Sequence, residues 1–414
     1  MKKLVIIASV SISTIILNPF MYLFAQNHDK PHEQRQKEYN IEQAISDRAQ
    51  LTTIAFNGLA FITGSLGADC FFPPGKVADY FGFQYMRDND KNEMGHNTDF
   101  LTKIANNVIY ILNPEQLQQL KDLASDQAQD YDNFALQRLT LIKAFRDQLD
   151  EKIPSGRKEL SKDAVVEYCS RLYLIDSYLS YNRAVVLGKI INSLSQSQKE
   201  YLGKLDFNNS STWPDLPESL DKKNMKHREH VCVMTYASEL FSWYAGSIVA
   251  DIYFCPERHG TYFGGFFLKD YPAMGNHGYN ISTSLTGDKG EEFIKMLSSE
   301  QVDWLKQAVK DADSILKEIV NVRTEISKEL RKAINNENPD KEKVDSLIKI
   351  YGGLDGEFSY NSAVCFSKIN KSLTDKQRQQ LIEIRDLDVV PEGTFLYSDP
   401  IEMPANGNID YFFK

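Results

Sequence analysis

A stretch of 25 residues occurs twice in this 414-residue chain, and this repetition limits the folds open to it. Gly64–Asp88 reads GSLGADCFFPPGKVADYFGFQYMRD, and Gly246–Asp270 reads GSIVADIYFCPERHGTYFGGFFLKD. Aligned without a gap at an offset of 182, ten of the 25 positions are identical: Gly64/Gly246, Ser65/Ser247, Ala68/Ala250, Asp69/Asp251, Phe72/Phe254, Pro74/Pro256, Tyr80/Tyr262, Phe81/Phe263, Gly82/Gly264 and Asp88/Asp270. Lys76/Arg258 and Arg87/Lys269 keep their charge, and each copy is followed by a Met-Gly pair beside a histidine: Met94 and His96, then Met274 and His277. The spacing is far too long for a solenoid repeat and predicts two homologous halves in tandem. A second match supports this: Asp176/Asp355, Ser180/Ser359, Tyr181/Tyr360, Asn182/Asn361, Ala184/Ala363, Lys189/Lys368 and Ile190/Ile369 are identical at an offset of 179. Arg138/Arg323 and Arg146/Arg331 pair at 185, the small drift that loop insertions produce.

Periodicity assigns the chain to the all-α class. Apolar residues at helical spacing cover Ile41 to Gly64, then Leu117–Leu149, Leu160–Ile191, Val302–Ile334 and Lys341–Ile369, with Gly and Pro kept mostly to the ends. Pro73-Pro74-Gly75 breaks any helix within the aromatic stretch, so the segment up to Asn97 is predicted to be a long structured loop with short helical pieces. Loops of that length in compact domains are usually functional. Four helix starts share a pattern: Leu112-Asn113-Pro114-Glu115-Gln116, Leu194-Ser195-Gln196-Ser197-Gln198, Leu297-Ser298-Ser299-Glu300-Gln301 and Leu373-Thr374-Asp375-Lys376-Gln377. Each is predicted to be a capping box, in which Asn, Ser or Thr accepts from a free N–H of the first turn and Gln reaches back. The expected organisation is a signal peptide over 1–25, a flexible lead-in over 26–40, helical repeats over 41–220 and 221–390, and an extended strap over 391–414.

The pattern L-[TS]-x-x-Q opening a helix in such a chain resembles the Spy/CpxP group of periplasmic proteins. That resemblance implies a helical fold, dimeric cradles, chaperone activity towards unfolded envelope proteins and, in some branches, sensing of metal stress. It brings no catalytic residue. This chain departs from the group in its length, its internal duplication, its acidity and its aromatic loop.

The N-terminus points to export. Lys2 and Lys3 precede an apolar run from Leu4 to Phe24 that ends Leu23-Phe24-Ala25, the order of a secretory signal peptide. Cleavage near Ala25 would leave a periplasmic chain without a membrane span. Lys and Arg number 47 against 57 Asp and Glu, a net charge of −10 with no basic block, which argues against nucleic acid as a partner. Five cysteines, Cys70, Cys169, Cys232, Cys255 and Cys365, are too few for a disulfide scaffold; buried thiols are expected, with one disulfide as the alternative.

Two sets of candidate site residues follow from the repeat. Asp69, Lys76, Tyr80 and Asp88, with Asp251, Arg258, Tyr262 and Asp270, would form a ligand site once per half. Met94, His96, Met274 and His277 pair thioether with imidazole, donors that suit copper or a haem iron. The structural alternative has the aspartates capping turns or pairing locally and the aromatics filling the junction of the halves. His227 and His230 share a helix face but have Ile45 and Arg48 at the matching positions, so an exposed pair is expected; His259 is expected on a surface loop. The haem-attachment, zinc-protease, nucleophile-elbow and phosphate-loop motifs are absent. The leading reading is an exported binding protein, chaperone-like towards unfolded or envelope proteins. Its alternatives are a metal or haem protein using the Met/His loops and an enzyme with a carboxylate cluster where the halves meet.

Overall fold

Helix starts fall where the capping residues stand. The computed structural model describes residues 39–72, 74–92, 98–254, 259, 262–268, 288–384, 394–396, 399–401 and 408–414. The signal segment, Met94, His96, Cys255, Arg258, Asp270, Met274 and His277 lie outside the described residues. After a single helical turn, Ile41–Ala44, the helices are α1 (Asp47–Thr63), α2 (Leu66–Cys70), α3 (Phe83–Asp88), α4 (Thr98–Ile111), α5 (Pro114–Leu149), α6 (Lys162–Ser193), α7 (Gln196–Leu202), α8 (His227–Ala245), α9 (Ile248–Ile252), α10 (Asp288–Met296), α11 (Ser299–Leu330), α12 (Lys341–Ser372) and α13 (Asp375–Ile384). The fold is all-α, and among the described residues the strands amount to a small hairpin, β1 (Thr394–Leu396) against β2 (Asp399–Ile401).

Each of the four predicted capping boxes is formed. At α5, Asn113 Oδ1 accepts from Gln116 N at 2.9 Å, and Gln116 Oε1 accepts from Asn113 N at 3.0 Å. Ser195/Gln198, Ser298/Gln301 and Thr374/Gln377 do the same. The glutamines then do more than cap. Gln198 Nε2 donates to Gln116 Oε1 at 2.7 Å, and Gln377 Nε2 donates to Gln301 Oε1 at 2.7 Å. Gln116 and Gln301 donate in turn to Ser193 Oγ and Ser372 Oγ, both at 2.9 Å. One glutamine pair therefore ties together two helix starts and the end of the long helix between them.

These ties create two frames, α4–α7 and α10–α13. The long helices α6 and α12 press together at the centre, where glycine permits the approach. A Cβ on Gly352 would stand 2.6 Å from Tyr173 Cβ, and one on Gly356 would stand 2.8 Å from Cys169 Cβ. The helix leading into each frame docks on the other one. α1 precedes the first frame in sequence yet packs against α10 and α11, whereas α8 packs against α4 and α5. Every residue of α1 from Thr52 to Phe61 is buried, so this helix is enclosed on all sides rather than two-faced. Phe61 meets Phe263 at 5.1 Å edge to face, and Trp243 meets Phe81 at 5.1 Å in the same way. With the leading helices exchanged, Tyr39–Lys414 form one compact unit.

At the C-terminus the described pieces are the hairpin and a 3₁₀ turn, Asp410–Phe412, which lies on the start of α6. There Phe412 meets Tyr168 at 4.9 Å, and Phe413 bridges Leu160. Among the described residues no helix is long and apolar enough to cross a membrane.

Candidate functional site

The aromatic turns cross where the two frames meet. Short helices α2 and α9 begin at Ser65 and Ser247 and leave C-terminal carbonyls that must find donors. A buried arginine supplies them in each case. Arg138 donates to the carbonyls of Asp69 at 2.7 Å and Cys70 at 3.2 Å; Arg323 donates to those of Asp251 at 3.0 Å, Ile252 at 3.1 Å and Tyr253 at 3.2 Å. Burial pushes the Arg138 guanidinium below its ordinary value. The aspartates on these helices face a second arginine: Arg146 holds Asp69, and Arg331 holds Asp251, both carboxylates being fully buried. Ser327 Oγ also donates to Asp251 Oδ2 at 2.7 Å. Burial raises the Asp251 carboxyl in spite of Arg331. The aspartates thus act as anchors for a second helix.

From these anchors each turn passes to the other half. Gly82 and Gly264 adopt φ of +76° and +70°, which glycine reaches without strain. A Cβ on Gly82 would lie 3.2 Å from Ala250 Cβ and 3.3 Å from Asp251 Oδ1; one on Gly264 would lie 2.9 Å from Asp69 Oδ1. Tyr80 lies under Arg323 at 4.8 Å, and Tyr262 lies under Arg138 at 5.9 Å. The exchange is reciprocal, residue for residue. One contact breaks the equivalence: Arg323 also donates to Asp79 Oδ1 and to the Asp79 carbonyl, both at 3.0 Å, and Thr261 holds the matching position.

Two buried polar clusters flank the crossing. In the first, Arg183 donates to both carboxylate oxygens of Glu239 at 3.0 Å, to the carbonyls of Val77 and Ala78, and to the Tyr131 hydroxyl. The Tyr131 and Tyr236 hydroxyls share a bond of 2.8 Å, Tyr236 donates to Gln127 Oε1 at 2.6 Å, and Gln127 donates to the Leu179 carbonyl at 3.0 Å. Burial raises both phenols and pushes the Glu239 carboxyl up to about 7, with Arg183 pulling the other way. In the second cluster Asp355 accepts from the Tyr173 hydroxyl at 2.6 Å and bonds His259 Nδ1 at 3.0 Å. His259, expected on a surface loop, is fully buried among Phe254, Tyr351 and Phe358. Its carboxylate partner makes that burial tolerable, and Asp355 was marked only as a member of the second internal match.

Of the expected ligand residues, Asp69, Lys76, Tyr80, Asp251 and Tyr262 are buried, and Lys76 Nζ stands 4.7 Å above the Phe266 ring. Asp88 pairs with Arg87 at 2.9 Å and accepts from the Tyr253 hydroxyl at 2.8 Å. The structure brings Asp69 to Gly264 and Asp251 to Gly82; Asp88 joins the Tyr253 side. His230 bonds Glu218, so the expected exposed pair is exposed only at His227, which borders a groove of about 360 Å³ lined by Ser125, Gln129 and Arg228. Among the described residues no three His, Cys, Asp or Glu side chains converge as a metal site. Cys70, Cys169, Cys232 and Cys365 are buried.

Sequence reasoning passed over one exterior feature. On α6, Leu174, Tyr178 and Val185 are 40%, 47% and 37% exposed, with half-buried Tyr181 between them. Their spacing of four, three and four residues puts them in one row. No family model, curated protein or solved structure matches this chain.

Proposed function

We propose that this chain is an exported helical binding protein that holds unfolded polypeptide in the cell envelope, a chaperone-like activity without catalysis. The row Leu174, Tyr178, Tyr181 and Val185 carries this reading, because single exposed apolar residues are ordinary whereas an aligned row offers continuous apolar surface to another chain. The capped, glutamine-tied frames support it as a rigid platform, and the L-[TS]-x-x-Q resemblance points the same way. Scattering from several aggregating client proteins, with and without the mature chain, tests it. Suppression at up to equal molar amounts is expected, and Leu174→Ser/Tyr178→Ser/Val185→Ser should weaken it while leaving the circular dichroism spectrum unchanged. Wild-type protein that leaves every client to aggregate overturns the reading.

A further inference from the structure

The two leading helices hold matching places before frames of matching layout, and each docks on the frame it does not adjoin. The aromatic contacts do little to choose between these arrangements. The edge-to-face contacts Phe61–Phe263 and Trp243–Phe81 have the same 5.1 Å separation, and the same glycine-led turns cross beneath both. The buried polar groups differ sharply. Where α8 meets the first frame stand Glu239, Arg183, Tyr131, Tyr236 and Gln127, bonded into one chain. The matching positions where α1 meets the second frame hold Asn57, Ser362, Leu316, Ile54 and Ala312. All of these are buried and none is charged. Ser362 Oγ is satisfied within its own helix, by the Phe358 carbonyl at 3.0 Å.

We propose that the Arg183–Glu239 pair is a pairing lock: it decides which leading helix docks on which frame, and so blocks misdocking of α1 and α8 within the chain. If α8 took the place of α1, Glu239 would be buried against Ser362 with no cation. If α1 took the place of α8, Arg183 would be buried against Asn57 with no anion. Breaking a buried ion pair by removing one partner is strongly unfavourable, whereas replacing both with neutral groups is often tolerated. The pair is therefore better at rejecting the wrong partner than at strengthening the right one. Shape adds a second key. A Cβ on Gly58 would lie 2.9 Å from the Phe366 ring, and α8 carries Leu240 at the matching position, so α8 also clashes sterically with the second frame. A lock of this kind matters here because the two frames offer matching docking places, so the wrong pairing is a close competitor of the right one.

The test uses the full mature chain, unfolded in denaturant and refolded, with near-UV circular dichroism reading the Trp243–Phe81 contact and far-UV circular dichroism reading helix content. Wild type is expected to recover its starting spectrum in both regions. Arg183→Gln/Glu239→Gln, and separately Arg183→Ser/Glu239→Asn, which installs the residues of the other junction, should refold with full helix content but with roughly tenfold more chains lacking the native near-UV signal. The single variants Glu239→Gln and Arg183→Gln should refold in lower yield than either double variant. Double variants that recover the full near-UV signal overturn the lock. Failure of both to fold also overturns it, since the neutral junction of α1 shows that such a contact needs no charge.

Discussion

Replacing Arg323 with methionine should cost clearly more stability than the same change at Arg138, although the two arginines occupy matching places. Arg138→Met removes the donors to the Asp69 and Cys70 carbonyls. An unsatisfied buried acceptor costs about 1–3 kcal/mol, and removing the buried cation offsets part of that, so a loss of about 3 kcal/mol is expected. Arg323→Met frees the Asp79, Asp251, Ile252 and Tyr253 carbonyls and also takes the Arg323 guanidinium from the Asp79 carboxylate. Gln84 still donates to Asp79 Oδ2 at 2.8 Å, which softens the loss without neutralising the charge. Breaking a buried pair from one side costs about 3–5 kcal/mol, so the total should reach about 5 kcal/mol. Adding Asp79→Asn to Arg323→Met should return most of the difference, because the stranded group is then neutral. Guanidinium unfolding followed by far-UV circular dichroism measures all four chains, with the slope checked for constancy. The reasoning fails if the two methionine variants agree within about 0.5 kcal/mol, or if Asp79→Asn recovers nothing.

Two further outcomes follow from the same crossing. The Glu239 carboxyl, pushed up to about 7 by burial, holds its proton more tightly in the folded chain than at its ordinary value of 4.5. Its contribution is therefore fully present below pH 4.5 and is lost as pH rises towards 7, on the order of 3 kcal/mol. Urea midpoints taken across that range should fall more steeply for wild type than for Glu239→Gln; parallel curves would remove Glu239 as the source. Gly264→Ala should lower the melting temperature more than Gly82→Ala. Both force a left-handed residue at about 1–2 kcal/mol, but the new Cβ at 264 comes within 2.9 Å of Asp69 Oδ1 and disturbs its pairing with Arg146, while the nearest atom at 82 is 3.2 Å away. Equal shifts in a calorimetric scan would count against that account.

The all-α class and the helix starts were legible because they depend on near neighbours in the chain. A capping box lies within four residues, and an apolar period of 3.6 is visible in one dimension. Arg138, Arg146, Arg323 and Arg331 were marked by the internal match, but their partners were not, since a guanidinium gives no sign of which distant carbonyl or carboxylate it will meet. His259 shows the same limit. Its sequence neighbours are those of a loop, and its burial depends on Asp355, 96 positions away.

By itself the sequence determined which segments become helices, where each begins, and which pairs of residues should share surroundings. Only the tertiary structure decided that α1 and α8 trade frames, that the paired aspartates anchor arginines deep in the junction, and that Leu174, Tyr178 and Val185 form a row in the open. The physical reason is range: capping and helical periodicity are local, while docking two enclosed helices onto two similar frames is settled by buried charge and shape between residues far apart in the chain.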